Sequence, residues 1–454
     1  MSKLCCTKIG SMVTAVTSSK TSKTTKTSKQ PPLSSTKPFG EPSNEPIQVR
    51  TVTRFIVLQK NQATWPQSIS EACAFCNDLA TKYIASGYPT QTLRIVTNPW
   101  GEYLNTTNES TVLADLELIK KILASCQPSS ADAGIRIRFA AGEATTKEQL
   151  KLVPTMIANF GDLCNICVNV PANKFGMVED CELLKSCGEI MVALAKTTPN
   201  GEGNFNFTVN FSCPPGIPYF PAGYNTTAKG ESFAIGLEHP GFVYDQLLKY
   251  DLQNVKDEER SAKFTEAAEG VRDAVEVHTN VLSKMANDAS VSSGIPFLGL
   301  DSSAAPAVAI TPIPYLFQAL GVDHFGATGC VEAAAFLTRI FKSIRGVDLI
   351  GFSGLMLTCL EDSGMADAAG KDLYDIKSLL QYSCVCGIGL DCIPVPGDST
   401  ADEMAGLMRD CATLSFRYTK PLTVRLFPVP GGKAGDMSSF DSFDLCNCKI
   451  LKID

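Results

Sequence analysis

The chain contains only three histidines (His239, His278 and His324) and no His-Glu-x-x-His pairing, which excludes the helical zinc site built on that motif. No stretch approaches 18 uncharged apolar residues, so no membrane-spanning helix is expected. A P-loop lysine signature is missing. The one Gly-x-Gly followed by an acid, Gly387-Ile388-Gly389, lacks a third glycine, so no nucleotide cofactor is expected. Positive charge is scarce: 40 Lys and Arg stand against 47 Asp and Glu, a net charge of −7. Residues 1–46 hold seven Lys and two Glu, +5, which leaves −12 on the remainder. So acidic a body argues against nucleic acid as a partner and suits a cationic or metal-bound ligand, although an acidic surface also serves solubility.

An apolar segment of signal-peptide type is absent from the first residues, so a reducing, cytoplasmic setting is expected for the 18 cysteines, most of them free and buried. Residues 1–46 are rich in Ser, Thr and Lys, with no acid before Glu41. They read as a tail with too little apolar surface to fold. Two functional readings compete with that one. A transit peptide is weakened by the lack of arginine before Arg50, and Cys5-Cys6 beside Lys3 and Lys8 could accept an acyl chain.

From residue 49 onward, β-rich and helix-periodic segments alternate. Ten strands are expected, at 49–58, 92–97, 135–140, 165–170, 206–211, 233–237, 296–300, 349–354, 385–390 and 422–427. Helices are expected between them, one opening on a Ser68-x-x-Glu71 capping box and one long and charged at 257–287. No composition break divides residues 47–454, so a single α/β domain is predicted.

Loops that combine glycine, proline and acid fall at the ends of predicted strands, where an α/β framework gathers reacting groups. They carry Glu238-His239, Asp301-Ser302, Glu361-Asp362, Cys386-Gly387-Ile388-Gly389-Leu390-Asp391, Asp398 and Lys433 with Asp436. If these loops converge, several carboxylates share one small volume. Such a cluster needs a bound cation or retained protons. A divalent ion such as Mg²⁺ or Ca²⁺ on Asp391, Asp398 and Asp436 is one solution, and a carboxylate acid/base pair is the other. Glu238 or Glu361 would be the general base, and Lys433 an anion clamp. His239 would shuttle protons, and Cys386 is the candidate nucleophile. Asp301, Ser302, Arg425, Gly387 and Gly389 would contact substrate.

The run from Cys386 to Asp398, then Lys420-Pro421-Leu422-Thr423-Val424-Arg425 and Pro428-Val429-Pro430-Gly431-Gly432-Lys433-Ala434-Gly435-Asp436, resembles the domain-of-unknown-function 711 family. The resemblance covers residues 47–454. It implies a ten-stranded α/β barrel like that of the pyruvate formate-lyase glycyl-radical enzymes, with a hairpin inserted in its centre, and it implies no reaction. The C-terminal Arg-Val-x-Gly-aromatic loop that radical catalysis needs is missing here, so a glycyl-radical enzyme is rejected. The expectation is an enzyme using carboxylate or metal-assisted chemistry on a small polar metabolite. The alternative is a non-catalytic binding or sensor protein. Self-association stays open.

Overall fold

The computed structural model describes residues 37–127 and 135–453. The tail up to residue 36, with the acylation candidates Cys5 and Cys6, lies outside the described residues. Among the described residues ten strands form two five-stranded sheets. The first sheet contains β1 (Gln48–Phe55), β2 (Thr90–Val96), β3 (Arg136–Ala140), β7 (Ser232–Glu238) and β8 (Phe297–Asp301), in the order β3-β2-β1-β7-β8. The second contains β4 (Gly142–Glu143), β5 (Ile166–Val170), β6 (Phe207–Phe211), β9 (Gly389–Pro396) and β10 (Leu422–Val429), in the order β4-β5-β6-β10-β9. Pairing is parallel except at β1–β7 and β6–β10. Eleven α-helices among the described residues connect and cover them: α1 (Trp65–Ala85), α2 (Glu109–Cys126), α3 (Lys147–Phe160), α4 (Cys181–Thr197), α5 (Pro240–Leu247), α6 (Asp257–Ser293), α7 (Ile313–Ala319), α8 (Cys330–Lys342), α9 (Ser363–Gly370), α10 (Ile376–Ser383) and α11 (Ala401–Tyr418). No helix among them is long and apolar enough to cross a membrane.

The predicted alternation holds, with instructive departures. The ladders among the described residues stay in two separate sheets, so the closed barrel that the resemblance implies is not seen as such. The chain passes from β3 into β4 through Ala141 alone. Between β8 and β9, only isolated bridges at Leu349, Leu355 and Thr358 span the gap. The strand expected at 349–354 is therefore a loop: Ile350 N still bonds the Leu300 carbonyl of β8, but the amides that follow have other partners. Phe352 N and Ser353 N donate to the Asp301 carboxylate at 2.8 and 2.9 Å, and Gly354 N donates to Ser303 Oγ at 3.1 Å. Residues 385–388 make a turn, and β9 starts only at Gly389 (φ +102°), where a side chain would strike the Thr423 carbonyl. Helix α1 begins one turn before the predicted cap, since Pro66 fits its first turn. It buries Ile69, Ala72, Cys76, Leu79, Ala80 and Tyr83 as one stripe.

Residues 37–46, on the tail side of the predicted boundary, pack against the body. Phe39 lies edge-on to Tyr315, and Asp245 accepts from the amides of Ser43 and Asn44. All sixteen cysteines among the described residues are free thiols, most of them buried.

Candidate functional site

In a strand covered on its outer face by helices, alternate side chains turn inward. On the first sheet those inward positions are polar. Thr51 and Thr53 on β1 bond to each other at 2.9 Å, and Thr53 donates to the Pro218 carbonyl. Register then aligns Thr53 with Arg94 on β2 and Arg94 with Arg138 on β3, while Thr92 aligns with Arg136. An irregularity between Val49 and Thr51 brings Arg50 onto the same inward side, a common use of a bulge. Four arginines from three adjacent strands thus line a cavity of about 260 Å³. Across it stand Asp391 on β9, Arg425 on β10, Glu361, and Met356 and Thr358 from the loop that Asp301 holds.

Arg425 has a full set of partners. It reaches both oxygens of Asp391, Nη2 donating at 2.8 Å to Oδ2 and Nε to Oδ1, and Nη2 also donates to Glu361 at 2.7 Å. Its guanidinium lies 5.1 Å from the Phe205 ring centre. Burial works against the charge, but the carboxylates of Asp391 and Glu361 outweigh it and hold the guanidinium well above its ordinary value. Arg50 is held up in the same way by Glu238. Arg138 binds Asp444 at 2.5 Å.

Arg94 differs. It is 7% exposed and contacts Thr92 Oγ1, the Pro218 carbonyl at 3.4 Å and the face of Phe220; among the described residues no carboxylate bonds it, and Glu361 attracts it only from a distance. Burial first, then repulsion from Arg50 and Arg138, lowers its pKa to about 9. A buried guanidinium so placed is an incomplete electrostatic arrangement. Thr358 Oγ1, also on the cavity wall, is buried without a hydrogen-bond partner.

Of the residues singled out from the sequence, Glu361, Asp391 and Arg425 meet in this cavity. Glu238 sits beside it as the counter-ion of Arg50. Asp301 does not line it. Fully buried, with a pKa raised by burial despite its hydrogen bonds, it anchors the 350–354 loop. Ser302 donates through Oγ to the Phe341 carbonyl, and its own carbonyl bonds His239 Nε2 at 2.9 Å. His239 is packed inside against the Phe341 ring, and burial lowers its pKa to about 4. Cys386 is buried and does not line the cavity, its amide bonded to the Tyr382 carbonyl. Gly387 and Gly389 are places where backbones approach too closely for a side chain. Asp398, Lys433 and Asp436 lie exposed on turns beyond β9 and β10, with Lys433 N donating to Asp436 at 2.9 Å.

The ion set expected at Asp391, Asp398 and Asp436 is therefore not assembled: β9 carries the chain from Asp391 to Pro396, roughly 16 Å, before the turn that holds Asp398. A different trio, Glu361, Asp391 and Cys392, brings one potential ligand atom from each residue within 4.8 Å of the others. It fits Mg²⁺ or Ca²⁺ poorly, because Arg425 already engages both carboxylates and the third donor is sulfur rather than oxygen.

The arginines Arg50, Arg94, Arg136 and Arg138 escaped the sequence reading, which looked for charge in loops. Their signal was present: each lies within or beside an apolar, β-rich segment, where a charge facing the interior needs a reason.

Two five-stranded sheets under a helical cover, with a guanidinium-walled cavity lined from both, define a mixed α/β protein with an interior polar pocket. The chain belongs to the family described as Uncharacterised ACR (DUF711), which matches residues 43–442. It is similar to the UPF0210 protein of Bifidobacterium longum (strain DJO10A), 28% identical over 298 residues, 64% of this chain and 63% of that protein. Similar too are the UPF0210 proteins of Lachnoclostridium phytofermentans, 28% identical over 305 residues (65% and 64%), and Clostridium perfringens, 27% identical over 316 residues (68% and 67%). The matched region spans somewhat under two thirds of the first of these relatives.

Proposed function

We propose that this protein is an enzyme that binds a small anionic metabolite in the cavity between the sheets and moves a proton on it through Glu361. The observation that carries the reading is Arg94, a buried guanidinium on the cavity wall without a carboxylate partner among the described residues. A ligand carboxylate or phosphate would complete it through charge-assisted hydrogen bonds. At about 260 Å³ the cavity falls below the usual range of ligand pockets, which favours a small metabolite. Glu361 lies on the opposite wall, oriented by Arg425 Nη2 at 2.7 Å and by the Cys392 thiol at 3.2 Å. Burial keeps that thiol protonated, so it serves as a donor that steers the carboxylate. We also read the two sheets as halves of a barrel. The run-on through Ala141 and the bridges of Leu349, Leu355 and Thr358 support this.

A sensor without chemistry is the second reading, favoured by the engagement of the two most enclosed cavity carboxylates, Glu361 and Asp391, with Arg425. Thermal unfolding against a panel of small carboxylates and phosphates, followed by mass spectrometry of the recovered ligand, separates the two. The enzyme reading expects a raised melting temperature and a converted ligand. Ligand at a hundred times its dissociation constant adds about 2.7 kcal/mol of stability. With Glu361→Gln the shift should persist while conversion stops. Recovery of unchanged ligand favours the sensor, and no shift with any anion overturns both.

A further inference from the structure

Resting on that reading of the cavity, we infer that its ligand carries two separate anionic groups, one of which displaces the Asp444 carboxylate from Arg138. Five guanidinia line the cavity: Arg50, Arg94, Arg136, Arg138 and Arg425. Among the described residues four carboxylates answer them, Glu238 on Arg50, Glu361 and Asp391 on Arg425, and Asp444 on Arg138. One positive charge is left over with Asp444 in place, and two are left over when it withdraws. Unbalanced charge is costly in a partly desolvated cavity, so the full site matches a dianion.

The geometry allows the exchange. Arg94 and Arg138 are register partners on neighbouring strands, whose spacing is about 4.8 Å. A short chain with a carboxylate at each end can therefore engage both. Asp444 belongs to the loop closed by the Met437–Lys449 bridge and by Ser438 N bonding the Cys448 carbonyl. That loop is held at Phe440, which packs against the Phe427 ring, at Asp441, whose amide bonds Glu202, and at Cys446, whose amide bonds the Leu360 carbonyl. Between those anchors the tip presents Phe443, 53% exposed, and Asp444, whose side chain is 35% exposed. Glu361 and Asp391 are far more enclosed, and Arg425 binds both. Asp444 is thus the counter-ion that can leave, and the tip 442–444 is the part that moves.

The test titrates the full-length chain and its Asp444→Asn variant with monocarboxylates, with two- to five-carbon dicarboxylates and with inorganic phosphate, read by calorimetry. Asparagine keeps the size of the side chain and removes its charge. In the variant, affinity for the best dicarboxylate should rise about tenfold more than affinity for the matching monocarboxylate. Amides 442–444 of the wild type should exchange faster once the dicarboxylate is bound. Equal gains for both classes, weaker dicarboxylate binding in the variant, or phosphate gaining as much as a dicarboxylate would overturn the inference while leaving an anion site in place. Failure of every anion to bind either protein removes the anion site itself, and this inference with it.

Discussion

Arg425 and Arg94 face the same cavity from opposite sheets, and both are nearly buried, yet their surroundings are opposite. Arg425 is satisfied by two carboxylates and held well above its ordinary pKa, whereas Arg94 has no carboxylate bonded to it among the described residues and falls to about 9. One wall of the cavity is complete as it stands; the other is arranged for something not part of the chain. The contrast separates a charge that holds the fold from a charge kept for a ligand.

The most severe way to probe the complete wall is to remove its guanidinium. Arg425→Met leaves Asp391 and Glu361 buried without a counter-charge, and it should lower unfolding stability by about 3–5 kcal/mol in a urea titration. A loss below about 1 kcal/mol would mean that the trio is not a structural unit.

Two other buried groups form a contrast of their own, in how they titrate. His239, after β7, has a folded-state pKa of about 4 against 6.5, because burial disfavours its charge. The folded state then binds fewer protons, so this group makes stability rise with pH between about 4 and 6.5. Asp362, which caps α9 through Met365 N, is raised by burial from 3.8 to about 6 despite its hydrogen bonds, so it makes stability fall as pH rises through that window. At about 1.4 kcal/mol per unit, each contributes about 3 kcal/mol, and in the wild type they nearly cancel. Asp362→Asn should expose the histidine slope: relative to wild type, its unfolding free energy should climb by about 3 kcal/mol from pH 4 to 6. Parallel profiles for the two proteins would show that Asp362 does not titrate in this range.

How much of this was legible depended on which force set each feature. Strands such as 92–97 and 206–211 were readable because apolar β-rich runs between turn signals have little else to become. The 349–354 segment looked the same, but a distant carboxylate, Asp301, took its amides, and no local pattern carries that information. At the site, Asp391 and Arg425 were found because they lie in distinctive sequence. Asp398, Lys433 and Asp436 belong to equally distinctive sequence that makes exposed turns. The acidic balance of the whole chain also misled. Most of that charge is spread over the surface, whereas the cavity gathers arginines from strands far apart in sequence, and only parallel register reveals the cluster.

The smallest expected effect is the most telling. Arg94→Met, unfolded by urea without ligand beside Arg425→Met and wild type, should match wild-type stability within about 1 kcal/mol or exceed it, since replacing an uncompensated buried charge by an apolar chain relieves a penalty. A loss for Arg94→Met comparable to that of Arg425→Met would contradict the account, because both guanidinia would then be supports of the fold and neither wall would be waiting for a ligand.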